Sequence, residues 1–319
     1  MKKIRVVALS RSMKIVCSEN IELAKNNLTA MGYQLDFAKS CNVCDAFYSS
    51  SVFSRKKDLE AAFNDKNVDI ILAAIGGYNV NQILDGLNYN MIKKNPKPIC
   101  GYSDITVLLN AIYAKTGMIT YLGPNFQSFA MKKGLTDTLF YFQKAMNKEA
   151  YYLKDPEYYS SDRWYDNQEA RIFIKNKGCY VINEGYAEGI IVGGNLCSFN
   201  LLQGTDYLPD LENKILFIED DELVGSEFAY EFDRNLVSLM SQKGFAKVKG
   251  LVIGRAQTAT KMNLKKWQKI LNKKVLKQIP VIVNANFGHT TPNATIPIGG
   301  RCIINTALNK EQMIYITFD

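Results

Sequence analysis

The chain contains one histidine, His289. General acid–base work near neutral pH falls most often to an imidazole, so an enzyme of that kind has a single candidate here. The segment Phe287-Gly288-His289-Thr290-Thr291-Pro292-Asn293 follows the strand-like run Pro280-Val281-Ile282-Val283. A turn-rich loop after a buried strand is where a rigid scaffold presents catalytic groups; the competing reading is an incidental, satisfied histidine. A nucleophile for such a base is offered by Pro98-Ile99-Cys100-Gly101-Tyr102-Ser103-Asp104-Ile105-Thr106, which places Ser103 between a strand end and a helix start. That is the arrangement of a nucleophile elbow, whose tight turn exposes the hydroxyl. The free N–H groups of the helix's first turn favour negative charge developing nearby. The G-x-S-x-G pattern is incomplete, because Ile105 occupies its last glycine position, and Ser103 could instead simply cap the helix.

Two further groups complete the chemistry. Gly76-Gly77 ends the preceding strand, and an oxyanion hole from the N–H groups of Gly77 and Asp104 is coherent with an elbow at Ser103; a plain turn glycine pair is the alternative. The glycine spacing of a dinucleotide or phosphate-binding loop is missing. The apolar run Lys214 to Ile218 leads directly into Glu219-Asp220-Asp221-Glu222. The first acid after a buried strand is the one held rigidly, so Glu219 is the candidate to fix an imidazole tautomer. Asp220 to Glu222 read as a solvated acidic loop, and no phosphate-binding loop supports a magnesium site on them.

The elements that must position these residues alternate in the first half. Strand runs at Ile4 to Leu9, Asp69 to Ile75, Lys97 to Tyr102 and Met118 to Leu122 are separated by helical patterns. These helices start at Ser18 and end at Gly32, or span Asp58 to Phe63 and Asp104 to Lys115. In the last, Ile105, Leu108, Leu109 and Ile112 fall at i, i+3, i+4, i+7, with Gly117 as the stop. This predicts a doubly wound, mostly parallel sheet over residues 1–145. Residues 146–178 are rich in Tyr, Asp, Asn and Lys with little periodicity, which predicts a linker and active-site loop. Residues 179–319 carry strand runs at Gly189 to Val192, Lys214 to Ile218, Gly250 to Ile253, Pro280 to Val283, Cys302 to Asn305 and Met313 to Phe318. Helices near Phe228 to Ser241 and Asn263 to Lys277 interrupt them, predicting a smaller α/β domain with mixed pairing.

Composition excludes other classes. With 319 residues, 47% hydrophobic and 22% charged, the chain is an ordinary globular one of about two domains. No apolar run approaches the ~20 residues of a membrane span. The run Val6 to Leu9 behind Met1-Lys2-Lys3-Ile4-Arg5 is too short for a secretory signal, so a cytoplasmic location is expected. Net charge is +8, but the basic patch Lys261 to Lys277 has Leu264, Trp267, Leu271 and Val275 at near-helical spacing, the mark of an amphipathic helix rather than a nucleic-acid surface. Seven cysteines is an odd number, which fits reduced thiols. Cys41 and Cys44 form a lone CxxC without the second pair a zinc site needs. No cofactor and no metal is expected.

Several segments in fixed order resemble one family over nearly the whole chain: Gly76-Gly77-Tyr78-Asn79, Asn95-Pro96-Lys97 with Gly101-Tyr102-Ser103-Asp104-Ile105-Thr106, Thr116-Gly117 with Gly123-Pro124, Gly193-Gly194-Asn195-Leu196, Ile215 to Asp220, and Phe287-Gly288-His289-Thr290 with Pro297-Ile298-Gly299-Gly300. The chain resembles the serine peptidases that comprise LD-carboxypeptidases and microcin C immunity peptidases. The resemblance implies a catalytic triad of Ser103, Glu219 and His289. It also implies an N-terminal domain like the class I glutamine amidotransferases, a C-terminal swivelling-type domain, a site between them and a homodimer. It places Gly76, Asn79, Trp164 and Asn195 at a small peptide or peptidyl-nucleotide substrate. Gly76 to Asn79, Asp233-Arg234-Asn235-Leu236 with Ser238-Leu239, and Gly288 to Pro292 are closer to the microcin-immunity branch. Trp164 is similar to that branch's loop tryptophan, which stacks on a nucleobase; a partly buried hydrophobic anchor is its other reading. The chain departs from that branch at Asn286, where an aspartate is usual, and in the acidic stretch after Glu219, where a lysine would hold an acidic aminoacyl group. The alternatives are a non-catalytic small-ligand binding protein, or an amidotransferase-like enzyme, whose nucleophile would be a cysteine at the elbow; Cys100 lies within the strand instead.

Overall fold

The structure, a computed structural model, describes residues 1–318. The apolar runs of the first half become β1 (Lys3–Val7), β2 (Gln34–Phe37), β3 (Ile70–Ala73), β4 (Ile99–Gly101) and β5 (Thr120–Leu122). Between and after them lie α1 (Ser18–Ala30), α2 (Val52–Asn64), α3 (Tyr89–Lys94), α4 (Thr106–Thr116) and α5 (Thr136–Met146). The middle segment holds β6 (Tyr151–Tyr152), β7 (Tyr158–Tyr159) and β8 (Ile174–Lys175). The remainder runs β9 (Tyr180–Asn183), β10 (Tyr186–Asn195), α6 (Leu196–Asn200), β11 (Lys214–Glu219), α7 (Phe228–Met240), β12 (Gly250–Gly254), α8 (Leu264–Leu271), β13 (Val281–Ala285), β14 (Ile296–Ile298), β15 (Arg301–Asn305) and β16 (Ile314–Thr317).

The strands form a mixed α/β architecture with two principal sheets. The first has the order β14-β5-β4-β3-β1-β2. Its β1 to β5 are mutually parallel, as strand–helix alternation requires. Its edge is closed by β14, antiparallel to β5 with Ile296 opposite Leu122. A segment just beyond His289 therefore completes a sheet built from the first 122 residues. The second sheet, order β6-β16-β15-β10-β11-β12-β13-β9, has eight strands to the first sheet's six. Its centre, β10 to β13, is parallel. The middle segment is not bare linker: β6 pairs with β16, and β7 with β8. Two-residue strands leave no periodicity for a sequence to show.

Helix α4 carries Ser103 at its entry and is the element most changed from expectation. Its spacing predicts one apolar face. In the fold every residue from Thr106 to Ile112 is buried, because α4 packs on β5 and β4 with one side and on β10 with the other. The second side is polar. Asn110 donates to the Gly193 carbonyl at 2.7 Å and accepts the Gly193 N–H at 3.1 Å. The Thr106 hydroxyl accepts the Asn195 N–H at 3.0 Å. Gly194, at φ +132°, comes so close that a Cβ there would stand 2.5 Å from Thr106 Oγ1. Elsewhere the helix near 58–63 starts earlier, at Val52, where the Ser51 side chain caps it. The helix near 263–277 ends at Leu271. Gly194→Ala should lower stability by about 2–4 kcal/mol through strain at positive φ and overpacking, read by denaturant unfolding. A variant as stable as the parent would mean the α4–β10 contact is loose.

Candidate active site

Ser103 occupies the turn between β4 and α4 with φ +62°. A non-glycine residue held there costs of order 1 kcal/mol or more and persists only where its surroundings force it. The forcing is visible. A Cβ on Gly101 would stand 2.8 Å from Ala73 Cβ and 2.9 Å from Ile105 Cγ2, and one on Gly76 would stand 3.1 Å from Ser103 Cβ and 3.3 Å from its Oγ. The chain thus has room for the turn only because both positions are glycine. Ser103 does not cap the helix: neither the short 3-10 turn Ser103–Ile105 nor α4 has a side-chain cap bond. Asp104 beside it is buried and accepts from the Ser10 hydroxyl at 2.5 Å and the Val80 N–H at 3.0 Å, while burial pushes its carboxyl above the usual range. Of the glycine pair, Gly76 therefore flanks Ser103, whereas a Cβ on Gly77 would meet Ser10 Oγ and Arg11 instead.

Glu219 is the last residue of β11 and is 1% exposed. Its slot is made by glycine. A Cβ on Gly254 would meet Glu219 Cβ at 2.7 Å, and one on Gly288, itself at φ +103°, would meet Glu219 Oε2 at 2.6 Å. His289 Nδ1 lies 2.6 Å from Glu219 Oε2. With Glu219 ionised, Nδ1 carries the donated proton and Nε2 is the nitrogen left for other work. The imidazole ring sits 5.1 Å from the Tyr102 ring, next in sequence to Ser103. Burial disfavours the imidazolium, but the charge and hydrogen bond of Glu219, aided by Asp221 and Asp220, outweigh it and push His289 up to about 9. Glu219 Oε1 is buried with no hydrogen-bond partner.

The acidic stretch differs from its sequence reading. Asp220 is not solvated. It is 8% exposed and accepts from Asn195 Nδ2 at 2.9 Å, the Asp221 N–H at 3.1 Å and the Cys197 N–H at 3.2 Å. Burial, then the charges of Glu219 and Asp221, push it up to about 7. Asn195 is 2% exposed, and its other end caps α6 at the Ser198 N–H. Its amide is therefore committed within the protein, as is much of Asn79, whose Oδ1 accepts from Ser10 and from Arg55. Trp164 is half-buried, edge-on to Tyr165 at 5.7 Å. Its loop is tied to the His289 loop by paired backbone bonds between Ser160 and Thr291, both 2.8 Å. A hydroxyl pair, Ser161 with Thr258 at 2.7 Å, ties the same segment to the turn after β12.

Sequence reasoning missed Ser10, Arg55 and Asn110, and the structural parts played by Thr106 and Asp220. None has a local signature, since each acts on a residue distant in the chain. Cys100 is fully buried in β4, and burial pushes its thiol up, which removes it as an elbow nucleophile. Of the CxxC pair, Cys41 is buried and Cys44 exposed. Among the described residues, no group of three or more His, Cys, Asp or Glu is placed to hold a metal ion, and no helix is long and apolar enough to cross a membrane.

Comparison with known proteins sets this geometry in a family. Residues 4–123 match the model of the LD-carboxypeptidase N-terminal domain, and residues 188–304 that of its C-terminal domain. A Bacillus subtilis (strain 168) protein named "Putative carboxypeptidase YocD" is 46% identical over 98% of this chain and 96% of its own. The crystal structure of an MccF-like protein from Bacillus anthracis str. Ames superposes with a TM-score of 0.97 at 47% identity, covering 100% of this chain and 97% of that one. Microcin C7 self immunity protein MccF in complex with aspartyl sulfamoyl adenosine superposes at 0.88 with 28% identity, covering 100% and 96%. The chain belongs to the LD-carboxypeptidase family of peptidases.

Proposed function

We propose that this protein is a serine peptidase in which Ser103, His289 and Glu219 act as a triad on an amide bond of a small peptide or peptidyl nucleotide. The observation that carries the reading is the 2.6 Å bond between His289 Nδ1 and a buried Glu219, with the imidazole packed on Tyr102, the residue before a serine held at positive φ. Ser103 Oγ attacks the carbonyl carbon, and His289 Nε2 takes the hydroxyl proton. The N–H groups of Gly77 and Asp104 receive the oxyanion. His289 then protonates the leaving amine, and water, deprotonated by the same imidazole, releases the acyl group. Glu219 fixes the ring and stabilises the imidazolium. The triad supplies base, acid and nucleophile, so the reading needs no metal ion, and activity should survive exhaustive chelation.

The substrate class follows less from the triad than from its surroundings. MccF binds aspartyl sulfamoyl adenosine, and Trp164 with Tyr165 on the loop joined to the His289 loop offers an aromatic surface for a base. The acidic stretch after Glu219 argues against an acidic aminoacyl group, which keeps a murein-type peptide in view. Asn79 and Asn195 act in this reading by shaping the pocket wall, with Gly76 leaving room for the substrate carbonyl. The reading includes a cytoplasmic homodimer, for which exposed Phe47 and Phe53 offer an apolar face, and an N-terminal half of the class I glutamine amidotransferase kind.

Ser103→Ala should lower kcat by roughly a thousandfold or more on a murein tetrapeptide or on an aminoacyl sulfamoyl adenosine, with the unfolding midpoint unchanged. Retained turnover would remove Ser103 as nucleophile. A base must be neutral to act, so kcat/KM should rise with pH along a limb whose midpoint lies well above the ordinary 6.5 of histidine, toward about 9. In Glu219→Gln the limb should move down as the maximum rate falls. A limb that stays put would separate Glu219 from the titration. The linked stability runs the opposite way with pH. With the folded pKa raised, the Glu219–His289 pair contributes fully below about 6.5, and its contribution is lost as pH rises through about 9.

A further inference from the structure

Eight arginines are present in the chain, and their partners single one out. Among the described residues, six pair with carboxylates: Arg5 with Asp36 and Asp65, Arg163 with Asp166, Arg171 with Asp162, Arg234 with Glu231, Arg255 with Asp155, and Arg301 with Glu188. Arg55 is buried and spends its donors on the Ser50, Leu9 and Asn79 carbonyls and on the Asn79 and Gln82 side chains. Arg11 has neither kind of partnership. It is half-buried in the segment after β1, and among the described residues its only side-chain bond is from Nε to the Gly76 carbonyl at 3.3 Å. A half-buried guanidinium with two nitrogens unspent is an unusual expense in a folded chain unless an anion joins it.

Its position says which anion. The Arg11 backbone N–H also donates to the Gly76 carbonyl at 3.3 Å, so backbone and side chain both grip the residue against which Ser103 Oγ rests. The guanidinium lies 5.6 Å over the ring of exposed Tyr78, which holds it to one side without neutralising it. The charge of Arg11 also reaches the Tyr102 hydroxyl.

We propose that Arg11 is a specificity-determining residue that binds an anionic oxygen group of the substrate close to the scissile amide: the free carboxylate of a peptide's last residue, or the sulfamate or phosphate-like link of a peptidyl nucleotide. The proposal rests on the peptidase reading of Ser103 and goes beyond it by saying why a substrate must carry a negative charge next to the cleaved bond. A guanidinium forks onto two oxygens, which an ammonium does only as a point charge.

The test uses one murein tetrapeptide as free acid and as C-terminal carboxamide, and an aminoacyl sulfamoyl adenosine, on the full chain and on Arg11→Gln and Arg11→Lys. A charged hydrogen bond corresponds to roughly 10- to 100-fold. Wild type should prefer acid over amide by that factor in kcat/KM. Arg11→Gln should collapse the ratio mainly through KM, and Arg11→Lys should recover part of it. If the nucleotide analogue loses and the peptide acid does not, the anion is the sulfamate-type link; the reverse makes it the carboxylate. An unchanged acid-to-amide ratio together with an unchanged nucleotide KM in Arg11→Gln, or an equal loss on acid, amide and nucleotide, overturns the proposal. The same ligands are titrated calorimetrically onto Ser103→Ala with and without Arg11→Gln. A tenfold weakening of an anionic ligand there, in the absence of any wild-type turnover, would keep Arg11 and discard the peptidase reading. No weakening would discard Arg11 whatever the turnover.

Discussion

The position of the Ser103 turn relative to the strand that ends at Glu219 depends on a seam of buried hydrogen bonds between α4 and the end of β10. Ser103 belongs to the first sheet's β4–α4 turn, whereas Glu219 ends a strand of the second sheet and His289 sits in the loop between β13 of the second sheet and β14 of the first. Nothing in either sheet alone fixes one against the other. Asn110 does, by exchanging both of its amide bonds with the Gly193 backbone, and Thr106 does, by accepting from Asn195. Asn195 stands in register with Glu219 across the β10–β11 pair. The chain of contacts therefore runs from the helix that starts at Ser103, through one strand, to the carboxylate that holds His289. Buried side-chain amides of this kind are directional, and misplacing them leaves polar groups unpaired at a cost of about 1–3 kcal/mol each. That direction is what an apolar contact of equal area would lack. The glycines at 193 and 194 follow from it, since both sit at positive φ and a Cβ at either would meet backbone or Thr106.

The second sheet carries an electrostatic load that its own wiring absorbs. Two neighbouring carboxylates, Glu219 and Asp220, are buried at the end of β11, on the carboxyl edge where parallel sheets collect ligands. Two like charges side by side in a low-dielectric site cannot both ionise freely. The structure answers by giving them different partners. Glu219 faces the only imidazole in the chain. Asp220 turns away to two backbone N–H groups and the Asn195 amide, and is still pushed up to about 7. Asp220 thus locks α6 and the end of β10 to β11 while leaving Glu219 alone with His289. An acidic run that looks uniform in sequence divides into one group that holds the ring and one that holds the scaffold.

This division shows where sequence reading stops. Ser103, Glu219 and His289 are legible because each follows an apolar run that ends in a strand, and each belongs to a residue type with few alternative uses in that setting. The α/β alternation is legible for the same reason. Asn110 and Asp220 are not. Asn110 sits on a helix whose apolar stripe already satisfies the usual pattern, and its partner lies 83 residues away. Nothing local distinguishes it from a solvent-facing asparagine. The paired strand β14 is hidden in a loop because its partner, β5, lies in the other half of the chain. The eight strands of the second sheet are undercounted because β6 and β9 are short and become strands only by adding to edges. Long-range pairing, rather than propensity, made every one of these.

The return of the chain through β14 has a consequence for the His289 loop. That loop is bounded by β13 in the second sheet and β14 in the first, so its two ends are anchored in different sheets. It is pinned again by the Ser160–Thr291 pair to the segment that carries Trp164, and Gly288 is bonded internally to Asn293. Any change in the spacing of the two sheets must therefore move His289, and with it the loop of Trp164. The Asn110–Gly193 seam resists that change, which explains why so buried and polar a contact is placed beneath α4. The imidazole is rigid because three elements hold its loop, and Ser103 is rigid because glycine packing holds its turn. In the triad reading, the alignment of the two is a property of the sheet interface rather than of either loop.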